Sequence, residues 1–310
     1  MKLKRLSLLF ILFFPTSLLS FKLGIENIST QLIEQLKDKK IALITNQTGI
    51  DQCGRRSIDL LLEKKLKLVR IFAPEHGIEG IIQAEKEVSN MIDKKTGIPV
   101  ESLYGNYTGK PLSASLLKGI DLLMFDIQDS GMRHYTYIST LLEVVRAAAT
   151  YNKPLIVFDR PNPLGPKMSG PLVESKLISF ISVAPIPVRH GMTVGELAQY
   201  FNAHLIKKSA QLSVVSMSDY TRTQHLNTLI KPLSPNIKNI HSCCGYSFLG
   251  LFSEIRPFDV GIGSSHAFQL ITLEESRSLP RKRWWQLDAL LQTHGIKSQW
   301  HRYLSERKRK

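Results

Sequence analysis

Four short apolar runs, each closed by a cluster of polar residues, limit what this chain can fold into. Residues 41–45 run into Asn46-Gln47-Thr48-Gly49, and residues 68–72 run into Pro74-Glu75-His76-Gly77. Residues 121–125 run into Asp126-Ile127-Gln128-Asp129-Ser130-Gly131, and residues 155–158 into Asp159-Arg160-Pro161-Asn162-Pro163. Continuous β-rich apolar runs of this length read as strands buried on both faces, as in parallel sheets. In an open α/β sheet, ligands bind outside the carboxyl ends of the strands. Four such ends carrying acids, amides and a histidine are therefore expected to surround one crevice.

The segments between the runs have helical spacing. Ile58, Leu61 and Leu62 share a face after the first run, and Tyr137, Leu141, Val144, Val145 and Ala148 share one after the third. Thr193-Val194-Gly195-Glu196 has the pattern of a capping box, followed by an apolar face of Val194, Leu197, Ala198, Phe201 and Leu205. A further strand is expected over 212–217. The alternation predicts an α/β fold, a parallel sheet covered on both faces with right-handed crossovers. Residues 78–107 and 164–190 read as long connections, the first of them substrate-binding. The Pro-rich stretch 231–236 reads as a boundary, giving one domain over 21–232 and a smaller, less regular one over 233–310.

Residues 1–20 have the form of an export signal: a basic start, an apolar run at 6–14 and small residues before position 21. The run is too short for a stable membrane span. The protein is expected in the periplasm or secreted. Its formal charge of +15 includes basic clusters at 281–283 and 307–310. With no aromatic-interleaved basic stripe, nucleic acid is not an expected partner. The cysteines, Cys53, Cys243 and Cys244, suggest neither a disulfide framework nor a zinc site.

The strand ends supply the chemistry. Glu75 and His76, held in a Pro/Gly turn after a buried strand, suit general acid–base work, since burial favours the protonated carboxyl. Structural use of the same carboxylate, capping a helix or bonding loop amides, is the alternative. Asp126, Gln128 and Asp129, followed by Arg133, His134, Tyr135 and Tyr137, suit a polyhydroxylated ligand, or else an ion-paired loop. Asp159 and Asn162 belong to the same rim, as does Asn46, and His190 stands just before the capped helix. No GxGxxG follows the first run and no GxSxG occurs, which disfavours a nicotinamide enzyme and a serine hydrolase. The histidines and acids match no standard metal spacing, and no metal is expected.

Over roughly half its length the chain resembles the exo-β-N-acetylmuramidase family, the NamZ-type glycoside hydrolases once classed as a domain of unknown function. The matching segments include TNQTGID (45–51), PEHG (74–77), TGIPV (96–100), LKGIDLLMFDIQDSGMRHYTYISTL (117–141), DRPNPLG (159–165) and PIPVRHGMTVGELA (185–198). The resemblance implies a Rossmann-like domain, a smaller C-terminal domain and a cleft between them. It also implies release of N-acetylmuramic acid from the non-reducing ends of peptidoglycan fragments, without an organic cofactor, so the expected partners are peptidoglycan-derived sugars or muropeptides. The family's catalytic glutamate falls on Glu75, with His76 beside it. Asp126 or Asp129 is then the candidate second carboxylate. Asn46, Gln128, Arg133, Tyr135, Asp159, Asn162 and His190 are candidate sugar-binding residues, Arg133 for the lactyl carboxylate. The likeness fades after about residue 240, where a Gly/Thr-rich family segment is missing and a shortened cleft wall is expected. A peptidoglycan-binding protein without turnover is the alternative; an amidase or deacetylase on the same scaffold is a third.

Overall fold

The computed structural model describes residues 21–273, apart from 85, 106, 107, 225, 227, 228, 256 and 257, together with residue 289. The expected export signal and both basic clusters lie outside the described residues. Seven strands form the central sheet: β1 (Lys40–Thr45), β2 (Lys67–Ala73), β3 (Met91–Ile92), β4 (Pro99–Ser102), β5 (Leu122–Asp126), β6 (Leu155–Phe158) and β7 (Leu212–Val215). Their order is β7-β6-β5-β1-β2-β4-β3, and every neighbouring pair is parallel except β3 with β4 at the edge. Without that edge strand the order is that of the Rossmann doubly wound sheet. The chain reverses its direction of growth between β1 and β5, which puts the ligand-binding switch point at Asn46 and Asp126.

Alternation along the strands explains why the apolar runs are unbroken. Ala42, Ile44, Leu123, Phe125, Leu155 and Val157 face one side and pack with helices α3 (Tyr137–Thr150) and α4 (Val194–His204). Ile41, Leu43, Leu122, Met124, Ile156 and Phe158 face the other. There they meet α1 (Thr30–Leu36), α2 (Ser57–Glu63) and the N-terminal Leu23 and Ile25. Burying β1, β5 and β6 on both faces leaves no room for polar residues until the strand ends. The expected capping box of α4 is present: Thr193 Oγ1 accepts from the Glu196 amide at 3.2 Å, and Glu196 Oε2 accepts from the Thr193 amide at 2.9 Å.

Some stretches differ from expectation. The connection read over 78–107 contains β3, β4 and the two-residue strand Tyr104–Gly105. In β4 only Val100 and Ser102 are buried, so its alternation is too short to register as an apolar run. The strand expected over 212–217 stops at Val215. Within 164–190, Ser169–Leu172 and Pro187–Arg189 pair as an antiparallel hairpin. Beyond 232, Leu233, Ile237, Cys243, Val260, Ala267 and Phe268 join the core on the α3 and α4 face. Among them runs α5 (Ile240–Leu249). The three cysteines are free thiols, with Cys243 buried and the other two exposed.

Candidate active site

The turn after β2 holds its two functional side chains by unusual backbone geometry. His76 has φ +71°, followed by Gly77 at +75°. A side-chain-bearing residue rarely adopts this region, and it persists only where the surroundings fix it. Here they do: the Ile82 amide donates to the His76 carbonyl at 3.2 Å, and His76 Nδ1 donates to the Ile82 carbonyl at 2.7 Å. That exchange assigns the proton to Nδ1 and leaves Nε2 as an acceptor. Glu75, buried beside it, accepts a hydrogen bond at 2.7 Å from Thr136 Oγ1. Thr136 is the N-cap of α3, yet its hydroxyl serves the glutamate and not the helix.

The tyrosines at the start of α3 form the floor. Rings of His76, Tyr137, Tyr135, Tyr246 and His134 follow one another with centroids 6.5, 4.6, 6.0 and 4.8 Å apart. Tyr135 and Tyr137 both donate to the carbonyl of Leu233, at 2.8 and 2.9 Å, and Gln47 Nε2 reaches the same oxygen at 3.0 Å. The phenol of Tyr246 is pushed well above its ordinary pKa, by burial first and then by the charges of Asp129 and Glu75. Both carboxylates are thus within electrostatic reach of one phenol.

Asp129 is held by one oxygen only. Its Oδ2 accepts from the Gly131 amide at 2.6 Å and from His190 Nε2 at 3.1 Å. His190 is fully buried, and its Nδ1 accepts from the Met192 amide at 3.2 Å, which places its proton on Nε2. Among the described residues, Asp129 Oδ1 is buried with no partner. The same is true of Asn46 Nδ2, Gln47 Oε1 and both ring nitrogens of His134. Burial, and then the neighbouring Arg133 charge, bring the pKa of His134 down to about 4. Buried polar atoms without partners are uncommon in folded proteins and call for an explanation.

The other acids and amides of the rim are bonded within the protein. Asp126 is fully buried in a two-pronged pair with Arg160, Nε to Oδ1 at 2.5 Å and Nη2 to Oδ2 at 2.8 Å, and Ser57 Oγ also donates to it. Asp159 accepts from the Arg160 and Gly195 amides at 2.9 and 2.7 Å, next to the first turn of α4. Burial raises its pKa, and these donors oppose the rise. The Gln128 amide donates to the carbonyls of Asp129 and Pro161, and Asn162 donates to the Met192 carbonyl. Arg133 donates to the Pro171 and Ile186 carbonyls at 2.7 and 2.5 Å and to Ser182 Oγ at 3.1 Å.

The strand ends therefore bring Glu75, His76, Asn46, Tyr135, Asp129 and His190 into one neighbourhood, while Asp126, Gln128, Asp159 and Asn162 brace the loops around it. Tyr246 and Gln47 are additions to the candidates. Tyr246 lies on a helix without an apolar stripe, and the polar cluster holding Gln47 gave no reason to prefer it over Asn46. A solvent-open concavity lined by Thr48, Gln128, Arg160, Leu226 and Leu233 among others meets the floor at Leu233, and neither Glu75 nor Asp129 lines it. Among the described residues, no three His, Cys, Asp or Glu side chains converge as metal ligands.

Residues 41–241 match the family described as exo-β-N-acetylmuramidase NamZ, N-terminal. Over 253 residues the chain is 42% identical to the peptidoglycan β-N-acetylmuramidase NamZ of Bacillus subtilis (strain 168), covering 80% of this chain and 60% of that protein. Two crystal structures of DUF1343 family proteins from Bacteroides fragilis NCTC 9343 share its architecture. The first has a TM-score of 0.76 at 37% identity, covering 87% of this chain and 69% of its own. The second has a TM-score of 0.71 at 34% identity, covering 81% and 66%. The chain spans about three fifths of the Bacillus relative's length.

Proposed function

Because the chain belongs to the exo-β-N-acetylmuramidase NamZ family through that family's N-terminal domain, we propose that it is an exo-acting glycosidase. Its substrate is terminal N-acetylmuramic acid at the non-reducing ends of peptidoglycan fragments, and its role is in cell-wall turnover. The observation that carries this reading is the pair of unlike carboxyl groups at either end of an aromatic floor. Glu75 is positioned by Thr136, and Asp129 presents an oxygen with no partner among the described residues. Glycoside hydrolysis needs such a division of labour. Glu75 protonates the glycosidic oxygen as the bond to the anomeric carbon breaks. Asp129 Oδ1 faces the developing oxocarbenium ion and either takes the proton of the attacking water or adds to the anomeric carbon.

The remaining groups orient the sugar. The tyrosine rings offer apolar faces to the C–H face of the ring. Asn46 Nδ2 and Gln47 Oε1, buried without partners, supply a donor and an acceptor matching an acetamido group. Arg133 keeps Nη2 without an acceptor among the described residues, and we assign this nitrogen to the lactyl carboxylate. Asp126 and Asp159 are framework acids in this scheme. The basic and apolar segment 1–20 supports export to the periplasm or the cell exterior.

The test is release of chromophore from para-nitrophenyl β-N-acetylmuramic acid, with the N-acetylglucosamine counterpart and Glu75→Gln alongside. Turnover of the muramic substrate alone, reduced at least about a hundredfold in Glu75→Gln, is the expected result. No turnover by folded wild-type protein that still binds the sugar would replace the glycosidase by a binding protein.

A further inference from the structure

The parallel sheet has two ends, and the chemistry described above occupies one of them. At the opposite end, five chain segments lead into β1, β2, β5, β6 and β7: residues 34–40, 63–67, 118–121, 151–154 and 204–211. Together they carry ten lysines and four acids, and eight of those lysines are exposed. The described residues outside these segments hold seventeen Lys and Arg against seventeen Asp and Glu. The net positive charge of the described fold therefore resides wholly on this rim.

The acids on the rim do little to neutralise it. Glu34 pairs with Lys37 at 2.8 Å, Glu63 reaches Arg55 at 3.5 Å, and Asp121 accepts from the backbone amide of Lys40 at 2.8 Å. Among the described residues, nine of the ten lysines have no carboxylate within ion-pair distance. Like charges gathered on one edge repel one another, so the arrangement adds nothing to the stability of the fold.

We propose that this lysine rim docks the protein on an anionic phospholipid bilayer, with the crevice at the other end of the sheet turned away from the lipid. The choice of side chain identifies the partner. The five segments contain no arginine, although its planar fork is the group suited to two-pronged capture of a single phosphate. Lysines on separate loops supply mobile point charges instead. Adjacent strands lie about 4.8 Å apart, so five of them spread these loops along a row on the order of 20 Å. A row of that kind meets a charged plane better than it encloses a small ion. Each lysine near such a surface contributes about fivefold to partition, and the attraction is screened within about 10 Å at moderate salt. The proposal is independent of the glycosidase reading, and failure of hydrolysis leaves it standing.

The experiment is co-sedimentation of the full chain with phosphatidylcholine vesicles, with and without phosphatidylglycerol, at low and high salt. Two quadruple variants remove the same charge from different places. One replaces Lys39, Lys67, Lys118 and Lys208 by Gln on the rim; the other replaces Lys86, Lys94, Lys167 and Lys176 by Gln elsewhere. Residues outside the described fold are common to all three proteins, so their contribution cancels. The expected result is phosphatidylglycerol-dependent, salt-sensitive binding that the rim variant weakens by several hundredfold and the control variant leaves within about threefold. Equal loss in both variants would mean that net charge alone is sensed, and would overturn the proposal. So would binding unchanged in the rim variant, or rim-dependent binding to soluble polyphosphate without any to vesicles.

Discussion

Replacing Asp126 by Asn separates a structural acid from a catalytic one. Asp126 and Arg160 are 0% and 3% exposed and share two hydrogen bonds. The substitution leaves the guanidinium in place and removes the charge that compensates it. Losing one partner of a buried pair costs about 3–5 kcal/mol, most of it the stranded charge. Unfolding entropy of about 2.1 cal/mol/K per residue, over the roughly 250 residues described, gives about 0.5 kcal/mol per kelvin. The expected fall in Tm is therefore about 6–10 °C, readable by calorimetry. Well below the new Tm, turnover of the chromogenic muramic substrate should stay within a few-fold of wild type. Asp126→Leu combined with Arg160→Met should cost less than either change alone, because no charge is left unpaired. An unchanged Tm with abolished turnover would refute the framework role and return Asp126 to the chemistry.

Further expectations follow from single contacts. Thr136→Val removes the donor to Glu75 and should lower kcat about ten- to a hundredfold, in line with about 1.5–3 kcal/mol for a hydrogen bond to a charged group, with Tm nearly unchanged. His134 is held neutral in the fold, with its pKa lowered from 6.5 to about 4 by burial and Arg133. The unfolded chain therefore binds the extra proton first, and stability falls as pH drops through 6.5 towards 4. About 2 kcal/mol should be lost between pH 7 and pH 5. Denaturant titrations at the two pH values measure it, and His134→Gln should remove that loss. Gly24→Ala would place a Cβ 2.4 Å from both the Asp159 amide and the Val215 carbonyl. Both contacts are backbone, so a loss of about 1–3 kcal/mol is expected from overpacking, seen as a lower denaturant midpoint.

Legibility in the sequence followed burial. β1, β5 and β6 were plain because residues such as Leu43, Met124 and Val157 are enclosed on both faces, which forces an uninterrupted apolar run. α4 was plain because Thr193 and Glu196 satisfy each other locally. β4 was not, since only Val100 and Ser102 point inward. α5 was hidden for a related reason. Its buried residues are Ser242 and Cys243 while Phe248 is 71% exposed, so no periodic stripe marks it. The strand-end rule located the neighbourhood of the site but not the division of labour within it. Asp126 and Asp129 are three positions apart and look equivalent as letters. Only the fold sends Arg160 and Ser57 to the first and leaves an oxygen of the second bare.

The carbonyl of Leu233 has a bearing on how the protein can be cut down. Three donors from the site floor, two phenols and an amide, end on that one oxygen. A fragment stopped at residue 232, where composition suggests a seam, would keep every strand of the sheet and every carboxylate of the site. It would also take from the two buried tyrosine hydroxyls the acceptor they share, at a cost of up to about 1–3 kcal/mol each. The smallest working unit is therefore longer than the sheet: it must carry the acceptor supplied from beyond the last parallel strand.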